Sequence, residues 1–357
     1  MFSALWGSLC LILVASVTGL SVAGPILFAA NIVIAVTHSW STTFAVIASP
    51  LLAEARKQNR WKFSVVPAVV FFGAVLLGLA VGATRAFPES APLTSGNALW
   101  ALYLALFWVG HFWHFGNQDF GVLSIYRLKA GQSSQRRRRV DKAYSATMMF
   151  VLQPLVYLKA VASSPLSEAF YSYVPVSLEV VTISATVAVA VAAVLTLAVL
   201  AYEWSDPDRS VPKSLYYLVM LSHPVVLYLV DYRLGFFYLI AYLWSHWFIA
   251  IGLVSRITVN YHQDRGSSRW QAIFRHVRSL GAVVAVALVI HLVYGRYDTF
   301  SGGSYKSILN AVPPGYEISL GLVLGFFLAS QLLHYYCDRS LFRFRDPSVR
   351  SAVAPLL

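Results

Sequence analysis

Histidines within apolar segments are the residues of this sequence that could perform chemistry. The densest polar stretch is Gly110–Arg127, GHFWHFGNQDFGVLSIYR, at the inner end of a long apolar run. Polar groups in apolar surroundings cost several kcal/mol unless they are paired or bound to a metal. The stretch therefore predicts ligands for a metal centre. Its polar residues include His111, His114, Asn117, Gln118 and Asp119.

The other histidines extend this prediction to further segments. The chain has nine histidines, and helix rise places six of them in the middle or inner half of their segments. Because lipid disfavours polar side chains, we expect these six to face the bundle interior and converge on one site. The expected metal ligands are His38, His111, His114, His223, His246 and His334. His291 is expected to be structural, whereas His262 and His276 fall in a basic loop and are expected to be solvated.

Helical spacing supplies hydrogen-bonding partners for these histidines. His111 and His114 are three residues apart on one helix face, and Asp119 reaches the same side one to two turns away. Asp119, His111 and His223 are the catalytic candidates, although His223 precedes Pro224 and could equally repair a kink. Metal-bound histidines donate their second N–H to polar neighbours. The expected partners are Asn31, Gln118, Gln331 and Asp338, with Thr42 on the same stripe as His38.

The ligand types indicate which metal binds. Imidazole with carboxylate suits iron, zinc, copper or manganese. The absence of a thiolate motif argues against a structural zinc site. Histidines plus one carboxylate are typical of non-haem Fe(II) oxygenases, so iron (Fe²⁺) is expected. Zinc and copper stay open, as does a haem held by two histidines.

Composition defines the elements that must position these residues. The chain has 357 residues, of which 58% are hydrophobic and 12% charged, with mean hydropathy +0.65. Soluble domains carry about 25% charged residues, so the composition predicts an all-α integral membrane bundle. The ten predicted spans are 4–22, 26–50, 63–84, 97–126, 143–162, 175–201, 214–232, 235–256, 279–295 and 317–338.

The distribution of basic residues predicts the topology. Of the 27 Lys and Arg, 22 follow even-numbered spans and five follow odd-numbered spans. The positive-inside rule places both termini in the cytoplasm and the chain in the inner (cytoplasmic) membrane. The run Arg136–Arg139, in a short loop, is expected to face anionic lipid. The charge thus indicates topology rather than nucleic-acid binding. One multi-pass domain covers 1–357, and motifs at Gly78/Gly82 and Gly321/Gly325 allow close helix approach.

A short motif resembles a known family. The run His114-Phe115-Gly116-Asn117-Gln118-Asp119-Phe120 is similar to the His-Phe-Gly…Asp-Phe motif of the Brp/Blh family of membrane β-carotene 15,15′-dioxygenases. His38, His246 and His334 follow the order of that family's other histidines, but Ser39 replaces its early glycine and Ala250 its second late histidine. The resemblance implies an iron-dependent oxygenase that uses O₂ on a lipophilic substrate.

Three function classes follow from these observations. The first is a membrane metalloenzyme, a non-haem iron oxygenase or oxidase whose carotenoid-, isoprenoid- or lipid-like substrate lies in the bilayer. The second is a transporter or channel in which the histidines conduct protons or metal ions. The third is a haem-binding electron carrier. Polar residues concentrated in the middle and inner half of the segments favour the first class over a path through the whole membrane.

Overall fold

Helices form every regular element of the described chain. The computed structural model describes residues 20–83, 97–163, 176–229, 232–294, 317–341 and 346–356, and no strand occurs among them. Short π-helical turns at Trp61–Val65 and Met148–Leu152 open α3 and interrupt α5. The helices are α1 Leu20–Ile47, α2 Ala53–Gln58, α3 Trp61–Ala83, α4 Asn97–Lys129, α5 Gln135–Ala162, α6 Leu178–Trp204, α7 Val211–Leu229, α8 Tyr232–Gln263, α9 Arg269–Tyr294, α10 Glu317–Leu341 and α11 Pro347–Val353.

The predicted all-α class is confirmed. Each predicted span after the first coincides with a helix, while the first, 4–22, lies almost wholly outside the described residues. Five helices of the described chain, α3, α4, α5, α6 and α10, are long and apolar enough to cross a membrane. The count of about ten spans and the cytoplasmic position of both termini stay predictions.

The chain falls into two compact units. The first comprises Met1–Phe107 and Ile240–Leu357, and the second comprises Trp108–Leu239. Helices α1, α3, α9 and α10 belong to the first unit, and α5, α6 and α7 to the second. The prediction of one multi-pass domain stays a prediction.

Glycines bring α3 and α10 of the first unit into close contact. A Cβ added at Gly78 would overlap the backbone of Gly325, and one added at Gly321 would lie 2.6 Å from the Gly78 carbonyl oxygen. The two predicted glycine motifs therefore meet each other. Such backbone contact stabilises helix pairs in lipid, where no hydrophobic driving force acts between helices. This pair fixes the position of α10, which carries His334.

The C-terminal segment closes the first unit. Asp346 caps α11 by accepting a hydrogen bond from the Ser348 N–H at 3.1 Å, and it pairs with Lys62 at the start of α3 at 2.5 Å. Asn260 of α8 donates to the Leu356 carbonyl at 2.8 Å. Phe63, Leu341, Val353 and other apolar residues form the core beneath these contacts.

A buried ionic network joins four helix ends of the second unit. Lys213, in the first turn of α7, is 1% exposed. Its ammonium lies 2.9 Å from a Glu203 carboxylate oxygen on α6 and 3.1 Å from one of Asp141 on α5. Gln132, which follows α4, donates to Glu203 at 2.7 Å and accepts from Lys213 at 3.2 Å. Such a buried charge is tolerated because its partners are buried with it.

Two features of the run Arg136–Arg139 differ from what we expected. It lies in the first turns of α5, and Arg137 is buried rather than directed at lipid. The Arg137 guanidinium pairs with Asp206 at 2.5 Å and donates to the Tyr202 carbonyl at 3.0 Å. A run of like charges does not reveal that one member has a carboxylate partner about 70 residues later in the chain.

The expectation that His276 is solvated is wrong. Helix α9 begins at Arg269, ten residues before the predicted span 279–295. His276 is therefore helical, buried, and bonded through Nε2 to the Ser255 hydroxyl of α8 at 2.9 Å. Hydropathy detects only the apolar part of a helix. The first ten residues of α9 lie outside that part and form a polar, amphipathic stretch.

Candidate metal centre

Four predicted site residues meet inside the first unit. His38 lies on α1, His246 on α8, and His334 and Asp338 on α10. All four side chains are at most 4% exposed. Three separate helices thus direct imidazole and carboxylate groups into one buried region. Polar groups at such depth in an apolar bundle are expensive, which makes this region the candidate site.

The imidazole rings are close enough to share one ion. The ring centres of His38 and His334 are 4.3 Å apart, and those of His38 and His246 are 5.3 Å apart. Two imidazoles bound to one metal at about 2 Å would place their ring centres about 4.5 to 5 Å apart. Candidate ligand atoms of His38, His334 and Asp338 also lie within 4.8 Å of one another. This geometry fits a metal after a small contraction.

Neighbouring side chains orient these rings. Trp247 of α8 stacks on His38 with a ring-centre distance of 6.1 Å and an interplanar angle of 28°. Thr42, one turn after His38, places its hydroxyl oxygen 2.9 Å from His334 Nδ1. Asp338 Oδ1 lies 3.8 Å from the same nitrogen. The stacking of Trp247 has no periodic signal in the sequence, whereas the four-residue spacing from His38 to Thr42 does.

The remaining predicted partners in the first unit are less defined. Gln331 lies one turn before His334 on α10 and is partly buried. Asn31 lies on α1, but its side chain is outside the described residues. The side chain of His291, on α9, is also outside them. The roles expected for these three residues stay predictions.

The second unit holds the other predicted residues. His114, Gln118 and Asp119 lie on α4 and are buried. His111, on the same helix, is partly buried and packs against the Phe115 ring at 4.4 Å. His223 is buried on α7 beside Pro224. Their proposed roles as ligands or catalytic groups, like that of Gln118, stay predictions.

Asp119 has a partner that the sequence analysis missed. Tyr216 of α7 donates a hydrogen bond of 2.6 Å from its hydroxyl to Asp119 Oδ1. The two residues are far apart in the chain, so no spacing rule connects them. This bond pairs Oδ1 within the second unit, whereas the buried Oδ2 has no hydrogen-bond partner among the described residues.

The arrangement in the first unit offers a metal the candidate ligand atoms of His38, His334 and Asp338, and the His246 ring contacts that of His38. Such oxygen and nitrogen donors suit iron, zinc, copper or manganese. Comparison with known proteins adds no name to this site: no protein-family model, curated protein or solved structure matches the chain.

Proposed function

We propose that this protein is a membrane metalloenzyme whose first unit binds iron at His38, His246 and His334. The observation that carries the proposal is the convergence of these three buried imidazoles, from three helices, beside the Asp338 carboxylate. Three separate packing explanations for three neighbouring buried histidines are less economical than one shared ion. The proposed metal is iron because imidazole donors suit it and three protein ligands leave positions open for O₂ and substrate.

The proposed reaction is oxygenation or oxidation of a lipophilic substrate. An iron site of this kind supplies O₂ activation when the metal is bound. Cleavage of a carbon–carbon double bond would place one atom of O₂ in each of two carbonyl products and need no further reductant. Helices with apolar exposed faces, such as α3 and α6, support a substrate that arrives from lipid. The resemblance of the His114–Phe120 run to a dioxygenase family supports the same class.

Metal analysis of the detergent-purified protein tests the proposal. Wild-type protein, reconstituted anaerobically with iron, is expected to hold about one iron per chain. His38→Ala, His246→Ala and His334→Ala are expected to lose most of it, because each removes a ligand. His276→Ala is the matched control, since His276 is a buried histidine of the same unit that bonds Ser255 instead. His114→Ala tests the separate prediction that α4 supplies a ligand.

The same preparation distinguishes the rival functions. A Soret absorption band would identify haem and replace the non-haem site with the electron-carrier alternative. Protein that holds none of iron, zinc, copper or manganese after reconstitution would contradict the metalloenzyme. The buried histidines would then be tested as a proton path in vesicles. Iron-loaded protein should consume O₂ with a lipophilic polyene, and His276→Ala should retain this activity.

A further inference from the structure

The surroundings of His334 contain more than metal ligands. Thr42 and Asp338 lie beside its ring on α1 and α10, and both are buried. Each is placed by a four-residue helical spacing, Thr42 after His38 and Asp338 after His334. The two helices therefore present a histidine and a short polar side chain at the same level.

Distances decide which of these groups bonds His334 directly. Thr42 Oγ1 is 2.9 Å from His334 Nδ1, the normal length of a hydrogen bond. Asp338 Oδ1 is 3.8 Å from the same nitrogen, which is too long. The Asp338 carboxylate is nevertheless near enough for its negative charge to act on that nitrogen. The Thr42 hydroxyl is therefore the direct partner of His334 Nδ1, and the carboxylate acts on it at longer range.

The Asp338 carboxylate determines the direction of the hydrogen bond between Thr42 and His334. A hydroxyl can donate or accept, whereas a carboxylate only accepts, and its charge favours a proton on the nearest imidazole nitrogen. His334 Nδ1 therefore carries the proton, and the Thr42 hydroxyl oxygen accepts from it. A neutral imidazole with its proton on Nδ1 has its lone pair on Nε2. Thr42 and Asp338 together thus select one of the two tautomers.

We propose that Thr42 and Asp338 are positioning residues that hold His334 in the Nδ1–H tautomer, so that Nε2 binds the metal. Asp338 acts on Nδ1 through its charge and is not itself a ligand. This inference rests on the proposed metal site. Metal-bound histidines commonly donate their second N–H to a polar neighbour, and here that neighbour is a threonine hydroxyl with a carboxylate nearby. The ligands are then the three imidazoles.

Nitrogen NMR of histidine-labelled protein without metal tests the tautomer directly. A His334→Gln spectrum assigns the His334 signals by their loss. Wild type is expected to show a protonated Nδ1 and an unprotonated Nε2. Thr42→Val removes the hydroxyl at nearly constant shape, so the His334 ring is expected to shift toward the other tautomer. Thr42→Ser restores the hydroxyl and should restore the wild-type pattern. A His334 that is protonated on Nε2 in wild type would overturn the proposal.

Metal titration measures the consequence of this positioning. Thr42→Val is expected to weaken Fe²⁺ or Co²⁺ binding about 10- to 100-fold while the saturating stoichiometry is kept. Thr42→Ser should bind within a few-fold of wild type. Thr258→Val is the matched control, because Thr258 is a buried threonine of the same unit that bonds only its own helix in the described contacts. Asp338→Asn should keep the metal at saturation, since it changes the charge beside Nδ1 without removing a ligand.

The outcomes separate this inference from the proposed function. Wild type that binds no metal would overturn the metal site and the positioning role together. Wild type that binds metal, with Thr42→Val bound equally tightly, would overturn only the positioning role. Loss of metal stoichiometry in Asp338→Asn, with thermal unfolding unchanged, would make Asp338 a ligand and contradict the inference.

Discussion

At the residue scale, buried polar side chains of this protein occur in groups. The histidines of the first unit lie within ring contact of each other, and Lys213 of the second unit lies between two carboxylates. Isolated charges at such depth are expensive, whereas paired ones retain their interactions. The two groups differ in their chemistry. The ionic network holds its charges with carboxylate partners, while the imidazoles offer lone pairs that suit a metal.

Breaking the ionic network is expected to destabilise the second unit strongly. Lys213→Met removes the cation that lies closest to two buried carboxylates, and loss of one partner of a buried pair costs about 3–5 kcal/mol. Thermal unfolding in detergent, followed by circular dichroism, measures the effect. Lys213→Met combined with Glu203→Gln should recover part of the stability, since one anion is removed as well.

Lys129→Met is the control for that prediction, because Lys129 is an exposed cation at the end of α4. It should leave the unfolding temperature unchanged. An equal loss in Lys129→Met and Lys213→Met would show that the buried network contributes nothing specific.

At the element scale, the contact between α3 and α10 places the histidine of α10. Their glycine motifs allow the two backbones to touch, as the overlap of any added Cβ shows. Tyr103 of α4 also donates to the Leu324 carbonyl of α10 at 3.1 Å, within the first unit. Because His334 lies beyond Gly325 on the same helix, a shift of α10 would move the imidazole out of range.

Gly78→Ala is therefore expected to separate α3 from α10. The added methyl meets backbone that cannot rotate away, and overpacking of this kind costs about 1–3 kcal/mol. We expect a lower unfolding temperature and weaker iron binding. Gly73→Ala is the matched control on the same helix, because nothing lies within 4 Å of its added Cβ. Equal behaviour of the two variants would contradict the close-contact explanation.

The stability of the C-terminal segment is expected to depend on pH. The bonds from Lys62 and then Ser348 lower the pKa of Asp346 from its ordinary value of 3.8 to about 2. A lowered pKa means that the stabilisation is fully present above pH ~4 and is lost as the pH falls toward 2. Asp346→Asn removes the ion pair at neutral pH but keeps the cap of α11, so a loss of about 1 kcal/mol or less is expected.

Hydrogen exchange of residues 346–356 measures that loss as faster exchange in Asp346→Asn at pH 7. Glu54→Gln removes the exposed Glu54–Lys57 pair and should change nothing. Unchanged exchange in Asp346→Asn would show that apolar packing alone holds the segment.

At the scale of the whole molecule, apolar faces on the outside of the helices indicate lipid as the solvent. On α3, Val69, Phe72 and Leu76 follow a helical spacing and are each more than 60% exposed. A soluble monomer rarely exposes such a continuous apolar stripe. Exposed tryptophans also lie at helix ends, at Trp61 and Trp270, where membrane proteins carry aromatic belts.

The predicted topology can be tested by cysteine labelling in a Cys10→Ser background. Ser133→Cys, in the exposed turn after α4, should react with a membrane-impermeant maleimide only after the cells are opened. Glu89→Cys, between the predicted spans 63–84 and 97–126, should react in intact cells. The reverse pattern would place the termini outside and contradict the positive-inside assignment.

The sequence by itself determined the helical class and the position of most helices, and it named the polar residues among which the candidate site lies. Composition and apolar length suffice for the class and the positions, because a backbone in lipid must satisfy its hydrogen bonds within the helix. Rare polar residues in apolar runs supply the candidates. Helix ends beyond the apolar runs, such as the start of α9, were not predicted because hydropathy does not detect them.

Only the tertiary structure decided which polar residues are neighbours. His38, His246 and His334 are separated by about 90 to 300 residues in the chain, so their contact depends on helix packing rather than on spacing. The pairing of Arg137 with Asp206 also depends on helix packing, as does that of Tyr216 with Asp119. Spacing along one helix reveals a shared face. What lies opposite that face is set by the close packing of several helices, which local sequence does not encode.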